Sequence, residues 1–148
     1  AMEKAYQTHS AEETRALAKK LAEDIRPGTL LCLSGDLGAG KTTFTQGILE
    51  SLGAEGPFVS PTFVIMKQYD LKEATLNGIK RIYHADAYRV GEEDFDKLGF
   101  AEWLTDPEGL TILEWPERIQ GLLPEKRRVE ISLEQKNESE RLIRVVEE

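Results

Sequence analysis

Apolar positions recur at helical spacing in two parts of the chain, which predicts two amphipathic helices. The first begins with a capping box, because Glu13 stands three residues after Ser10, and it ends at Arg26-Pro27-Gly28. Its apolar positions are Leu17, Leu21 and Ile25. The second helix begins at Lys41 and ends at Gly53. Its apolar positions are Phe44, Ile48 and Leu52.

Short apolar runs predict strands around these helices. The run over 29–33 lacks strict alternation, as expected for a strand that is covered on both faces. Two further strands, about 62–69 and 79–85, are separated by a polar turn that contains Asn77-Gly78. The first strand lies between the two helices, so a glycine-rich loop over 34–40 must connect it to the second helix.

The remaining third of the chain adds a partly helical segment, a strand and a hairpin. Residues 92–104 are helical in part, residues 110–114 form a short strand, and Pro116 suits the first turn of a helical piece. Alternation over about 128–134 and 141–147 predicts a C-terminal β-hairpin. The resulting order is helix, strand, helix, hairpin, helix, strand, hairpin. It predicts a three-layer α/β fold with a mixed central sheet.

Length and composition place the chain among ordinary globular proteins. Its 148 residues fit a single domain over 1–148, and 40% of them are hydrophobic and 31% charged. The longest apolar runs have four residues, whereas a membrane span needs about 20. Cys32 is the single cysteine, and no signal peptide is visible. We therefore expect a cytoplasmic protein with no membrane association.

The net charge of −8 is concentrated in one stretch. Residues 91–118 carry nine acidic and two basic side chains. This balance argues against direct, tight binding of nucleic acid, which requires a basic surface. Two interpretations of the acidic stretch stay open: a docking surface for a basic partner, or a solvated surface that keeps the protein soluble.

The segment Gly35–Thr42 (GDLGAGKT) matches the P-loop pattern G-x-x-x-x-G-K-[ST] in full. Glycines let successive backbone N–H groups point at phosphate oxygens, and the helix N-terminus adds partial positive charge. Lys41 is expected to reach the β- and γ-phosphates of ATP, and the Thr42 hydroxyl to bind Mg²⁺. The residues predicted to cradle the nucleotide are Asp36, Gly38, Ala39, Gly40, Lys41, Thr42 and Thr43.

Hydrolysis also requires a carboxylate for the metal and a group that orients water. Asp86 comes directly after the predicted strand over 79–85, and Glu114 ends the predicted strand over 110–114. Ligands of α/β sheets bind at the carboxyl ends of strands. From spacing alone, Asp86 has the alternative of capping a turn, and Glu114 that of an exposed charge at a strand end. A lone histidine at a strand end, such as His84, is more often a hydrogen-bonded structural residue than a general base.

Four segments resemble, in order, the signature segments of the bacterial TsaE (YjeE) family. They are Gly35–Thr43, Ser60-Pro61-Thr62, His84–Arg89 (HADAYR) and Ile112–Glu117 (ILEWPE). Many ATPases share the P-loop, but the pair of later segments is far more specific. The resemblance extends over nearly the whole chain, and no motif position departs from the pattern.

The resemblance implies a P-loop ATPase needed to add threonylcarbamoyl to the adenosine beside the anticodon of tRNA. Such a protein acts with a TsaD–TsaB complex and meets tRNA only through these partners. By the same resemblance, Glu114 is an acid on the metal side, and Asp86 serves the metal or its water shell. Thr62 takes the place of a switch residue that senses the γ-phosphate, and Trp115 lines the site or a partner surface. Without the resemblance, residues 60–62 suit a turn into a strand.

Three other functions are weighed against an ATPase that is slow without its partners. A small-molecule or nucleotide kinase needs an acceptor site and a mobile, arginine-rich lid, but the adjacent Arg127 and Arg128 lie far along the chain. A GTP-driven switch normally carries Asn-Lys-x-Asp, and the string 77–80 (NGIK) does not match. A nucleotide-binding subunit without turnover is disfavoured by Asp86 and Glu114.

Overall fold

Seven strands form one mixed sheet in the computed structural model, which describes residues 2–58, 66–89, 91–125 and 127–147. The strands are β1 (Met2–Thr8), β2 (Thr29–Ser34), β3 (Met66–Asp70), β4 (Arg81–Asp86), β5 (Gly109–Glu114), β6 (Arg128–Gln135) and β7 (Arg141–Glu147). The helices are α1 (Ala11–Ala22), α2 (Lys41–Ser51), α3 (Glu92–Lys97), α4 (Phe100–Leu104) and a 3-10 helix (Pro116–Leu122). No helix in these ranges is long and apolar enough to span a membrane.

The sheet has the order β1-β7-β6-β2-β5-β4-β3. Its central strands β6, β2, β5 and β4 are parallel, whereas β3, β7 and β1 each pair antiparallel with a neighbour. The predicted mixed sheet and C-terminal hairpin are therefore confirmed. Because β2, β5 and β4 are adjacent and parallel, their carboxyl ends meet at one edge of the sheet, where a ligand is expected.

Apolar residues cover both faces of this sheet and give three layers. Helices α1 and α2 bury one face together with Leu31, Ile112 and Ile131. The shorter helices bury the other face, where Phe95 and Phe100 pack on Cys32 and its neighbours. The two faces of β2 thus both lie in core, which explains why its apolar run lacks alternation.

The first strand is an element that the sequence pattern missed. The sequence pattern predicts a helix as the first element, but β1 pairs with β7 from Met2↔Glu147 to Thr8↔Arg141. The strand lies at the edge of the sheet, and five of its seven side chains are exposed. An edge strand of this kind needs no apolar alternation, so its pairing is decided by the backbone hydrogen bonds of β7.

The ends of some other helices and strands differ from the predicted ones. The second strand of the hairpin is Arg81–Asp86 rather than 79–85, and the predicted start of the first strand lies outside the described residues. In the turn, the Asn77 side chain donates to the Glu23 and Ile25 carbonyls and holds the turn against the end of α1. The helical segment over 92–104 is divided at Gly99, whose φ is +83°. Ser10 accepts a hydrogen bond from the Glu13 amide, as the capping box predicts.

Candidate functional site

The P-loop connects β2 to α2 through a backbone path that only glycine permits. Gly35 has φ +147°, and a Cβ on it would lie 2.5 Å from the carbonyl oxygen of Leu133. Gly40 has φ +104° and precedes the first helical residue. Within the loop, the Ala39 amide donates to the Asp36 carbonyl at 3.0 Å. The predicted strand–loop–helix context of the motif is therefore present, with the free amides of the helix N-terminus at its end.

Lys41 is buried and bends back over its own loop. Its ammonium donates to the Gly35 carbonyl at 2.6 Å and lies 3.6 Å from the centre of the Trp115 ring. Burial lowers the pKa of this ammonium, while Glu114 and Asp86 act in the opposite direction. The cation is thus held by the Gly35 carbonyl, the Trp115 ring and the charge of nearby carboxylates. A phosphate group bound at the P-loop can take the place of the carbonyl as its partner.

Asp86 and Glu114 come together because β4 and β5 are parallel and in register. They are paired directly at the ends of these strands, and Glu114 is also paired with Leu33 of β2, two residues before the P-loop. Burial raises the pKa of Asp86, and the Glu114 carboxylate raises it further. The amide of Tyr88 donates to Asp86 Oδ1 at 2.8 Å and opposes this rise. The two carboxylates therefore lie beside Lys41 at the expected edge.

His84 contacts Glu114 directly. Its Nε2 lies 2.6 Å from Glu114 Oε2, and the two side chains are only 4% and 5% exposed. His84 Nδ1 is also buried and has no hydrogen-bond partner among the described residues. The expectation that His84 is a hydrogen-bonded residue is confirmed, and its partner is the predicted catalytic carboxylate.

Aromatic side chains border the P-loop on one side. Trp115 directly follows Glu114 and has φ +59°, a left-handed conformation that is rare for a bulky residue. Its amide donates to the Leu33 carbonyl at 3.3 Å, which fixes it against β2. Its ring packs 4.8 Å from that of Tyr88. Backbone strain of this kind persists where the surroundings hold it and concentrates at functional sites.

The oxygen atoms at this edge have the chemistry that Mg²⁺ prefers. Thr42 is exposed at the start of α2, and Glu114 Oε1 and Asp86 Oδ2 accept no hydrogen bond from the described residues. Mg²⁺ is usually held through one or two carboxylates, phosphates and water. Thr42, Asp86 and Glu114 therefore provide oxygen donors of the kind that Mg²⁺ binds.

The other residues predicted to bind the nucleotide differ in how exposed they are. Asp36 and Gly38 lie on the exposed side of the P-loop, Ala39 is buried beneath it, and Thr43 is half-buried in the first turn of α2. Thr62, the predicted switch residue, lies outside the described residues, as does the Ser60-Pro61-Thr62 segment.

Sequence reasoning missed Arg141, which contacts the P-loop from the C-terminal hairpin. Its guanidinium donates to the carbonyls of Gly38 and Ala39 at 3.2 and 3.1 Å. More than 100 residues separate Arg141 from these partners along the chain, and no motif marks it. Only the pairing of β7 with β6, and of β6 with β2, brings it there.

Comparisons with known proteins agree with this geometry. Residues 8–143 match the family model described as threonylcarbamoyl adenosine biosynthesis protein TsaE. The tRNA threonylcarbamoyladenosine biosynthesis protein TsaE of Bacillus subtilis strain 168 is 41% identical over 138 residues, which cover 93% of this chain and 82% of the relative. The protein of the same name in Rickettsia bellii is 35% identical over 142 residues, covering 95% and 92%.

A solved structure extends the likeness to three dimensions. The crystal structure of Bacillus subtilis YdiB superposes with a TM-score of 0.76 at 33% sequence identity, covering 97% of this chain and 84% of that one. The fold of this chain is thus shared with that structure over nearly its whole length. On this evidence the chain is a member of the TsaE family of tRNA threonylcarbamoyladenosine biosynthesis proteins, with a P-loop NTPase fold.

Proposed function

We propose that this protein binds ATP with Mg²⁺ in the P-loop and hydrolyses it in support of threonylcarbamoyl transfer to tRNA. The observation that carries the proposal is the convergence of Lys41, Asp86 and Glu114 on one P-loop. A phosphate cradle alone supports binding, whereas carboxylates at the ends of β4 and β5 add the acids that hydrolysis requires.

The chain's own residues have distinct roles in this proposal. The triphosphate displaces Lys41 from the Gly35 carbonyl, and the ammonium then neutralises phosphate charge. His84 holds Glu114 in one orientation, and Asp86 orients the attacking water or the metal's water shell. Water attacks the γ-phosphorus, the bond to the β–γ bridging oxygen breaks, and ADP and phosphate leave. Thr62 remains a proposed sensor of the γ-phosphate.

A bound Mg²⁺ would be held by Thr42, Glu114 and Asp86. The ion would supply charge neutralisation on the phosphate oxygens. Those three side chains provide one hydroxyl and two carboxylates, which suit this hard cation better than nitrogen or sulfur donors do.

The proposed partners are a TsaD–TsaB complex and, through it, tRNA. We expect slow turnover by the isolated chain, as for a small P-loop ATPase whose site is completed by a partner. A partner that orders the site or supplies a cation raises the rate, as an arginine finger does in other P-loop proteins.

Three variants test the assignment of roles. Lys41→Ala should abolish ATP binding, whereas Asp86→Ala and Glu114→Ala should keep binding and lose hydrolysis. Calorimetry measures binding, and phosphate release measures turnover. Glu93→Gln, on the exposed side of α3, is the matched control and should behave as the wild type. Normal hydrolysis by both carboxylate variants would contradict the proposed roles.

Reconstitution tests the pathway. Purified chain, TsaD–TsaB, tRNA and ATP should give threonylcarbamoyladenosine, and omission of the chain should lower the yield strongly. ATP hydrolysis should also rise when TsaD–TsaB is added. Equal yields with and without the chain would contradict the proposed support of transfer while leaving ATP hydrolysis to be judged by the variants above.

A further inference from the structure

We propose that Arg141 is a positioning residue for the nucleotide, which shapes the P-loop by holding two of its peptide groups from the side of the C-terminal hairpin. The inference rests on the proposed binding of ATP. It assigns a role to a residue of β7 that belongs to none of the signature segments.

The guanidinium makes five hydrogen bonds, and every acceptor is a backbone carbonyl. Two are in the P-loop: Nε donates to Ala39 at 3.1 Å and Nη2 to Gly38 at 3.2 Å. The other three run from Nη1 to the turn between β6 and β7, with acceptors Asn137, Glu138 and Glu140 at 2.9, 3.2 and 3.1 Å. One planar group thus joins the P-loop to the hairpin turn.

This contact orients amides as well as carbonyls. In a trans peptide the C=O and the following N–H point in opposite directions. Arg141 binds the Gly38 carbonyl, so the Ala39 amide points away from it and donates to Asp36 at 3.0 Å, which closes the loop. Arg141 also binds the Ala39 carbonyl, so the Gly40 amide points away from the guanidinium. The two bonds therefore set the plane of two successive P-loop amides.

The positive charge of Arg141 has no acidic partner within 4 Å among the described residues. Arg81, Arg128 and Arg144 each contact a carboxylate, Arg144 with Glu3 at 3.8 Å. An uncompensated cation beside a phosphate cradle favours an anion in that cradle. Lysine would keep the charge but cannot bind two adjacent carbonyls through one rigid fork.

A purely structural role for Arg141 makes a different prediction. If the side chain only fastened the hairpin turn, its loss would lower stability and leave ATP affinity of the folded protein unchanged. If it shapes the cradle, affinity falls while turnover of bound ATP persists, because the guanidinium touches the loop's backbone and no reacting atom. In kinetic terms KM rises and kcat is retained.

The test compares Arg141→Lys and Arg141→Ala with Arg144→Ala, a control on the same strand whose side chain is half exposed. Calorimetry measures Kd for MgATP, and thermal melting without nucleotide measures stability. We expect Kd to rise about tenfold in both Arg141 variants, equivalent to about 1.4 kcal/mol, with kcat within twofold of the wild type. Arg144→Ala should bind as the wild type.

The outcomes separate this inference from the proposed function. An unchanged Kd in folded Arg141→Lys, or a kcat that falls with KM unchanged, would overturn the positioning role. Arg141→Lys retains charge and bulk, so it keeps the test open if Arg141→Ala does not fold. Absence of MgATP binding by the wild-type protein would instead refute the proposed function itself.

Discussion

His84 Nε2 lies 2.6 Å from Glu114 Oε2 at the carboxyl end of two parallel strands, and both side chains are almost fully buried. A short contact of this kind removes the rotational freedom of the carboxylate. It also leaves Oε1 as the oxygen of Glu114 that accepts nothing from the described residues. The histidine therefore selects which oxygen of Glu114 is available to a ligand.

Removal of His84 should lower hydrolysis more than binding. In His84→Ala the buried carboxylate loses its partner and its orientation, and we expect kcat to fall about 10- to 100-fold. His84→Gln keeps an N–H donor and should recover part of this loss. Steady-state phosphate release and calorimetric Kd for MgATP measure the two effects. Equal kcat in wild type and His84→Ala would show that Glu114 needs no orientation.

Trp115 should report nucleotide binding. The Lys41 ammonium lies 3.6 Å from its ring centre, and departure of this cation toward phosphate changes the field at the indole. Trp103→Phe removes the other tryptophan, which stacks on Tyr83 away from the P-loop, so that the remaining emission comes from Trp115. MgATP should change its intensity or maximum in this variant. Combining Trp103→Phe with Lys41→Ala should abolish this fluorescence response. A response that survives in the double variant would contradict the proposed dependence of Trp115 emission on Lys41.

Acid should weaken the protein through Asp106. Arg81 donates to both of its oxygens, at 2.6 and 2.9 Å, and the Tyr83 hydroxyl donates at 2.6 Å. The Arg81 guanidinium is the main reason that the pKa of Asp106 lies well below its usual range. A depressed carboxyl pKa stabilises the fold above the unfolded-state pKa of about 3.9, and this contribution is lost as pH falls through the folded-state pKa.

Asp106→Asn should accordingly lose about 1.5–3 kcal/mol of unfolding free energy at pH 7. The difference from the wild type should be equally large at pH 5 and smaller at pH 3. Urea unfolding at the three pH values measures it, and Glu12→Gln on the exposed side of α1 is the control. A difference that is as large at pH 3 as at pH 7 would contradict the assignment.

Cys32 should be inert to thiol reagents in the folded protein. It is 1% exposed in β2, and burial raises the pKa of its thiol to about 12. The thiolate is the reactive form, so modification by an aromatic disulfide should require unfolding. Its rate in increasing urea should follow global unfolding measured by circular dichroism. Rapid modification without urea would show that this part of the core opens locally.

Local patterns in the sequence were sufficient to predict much of the fold and the phosphate-binding loop. Helical spacing gave α1 and α2, and the P-loop motif placed Lys41 and Thr42 at the start of α2, because loop chemistry and helix capping act over a few residues. Strand length and alternation gave β2, β5 and the final hairpin. The position of Asp86 and Glu114 at strand ends is also predicted by the sequence, and each is the last residue of its strand.

What only the tertiary structure decided involves partners distant along the chain. The edge strand β1 has no apolar pattern and exists through pairing with β7. His84 meets Glu114 because β4 and β5 are in register, and Arg141 meets the P-loop because β7 follows β6 beside β2. These contacts depend on strand order and register, which arise when the whole apolar core is buried at once and which no short segment encodes alone.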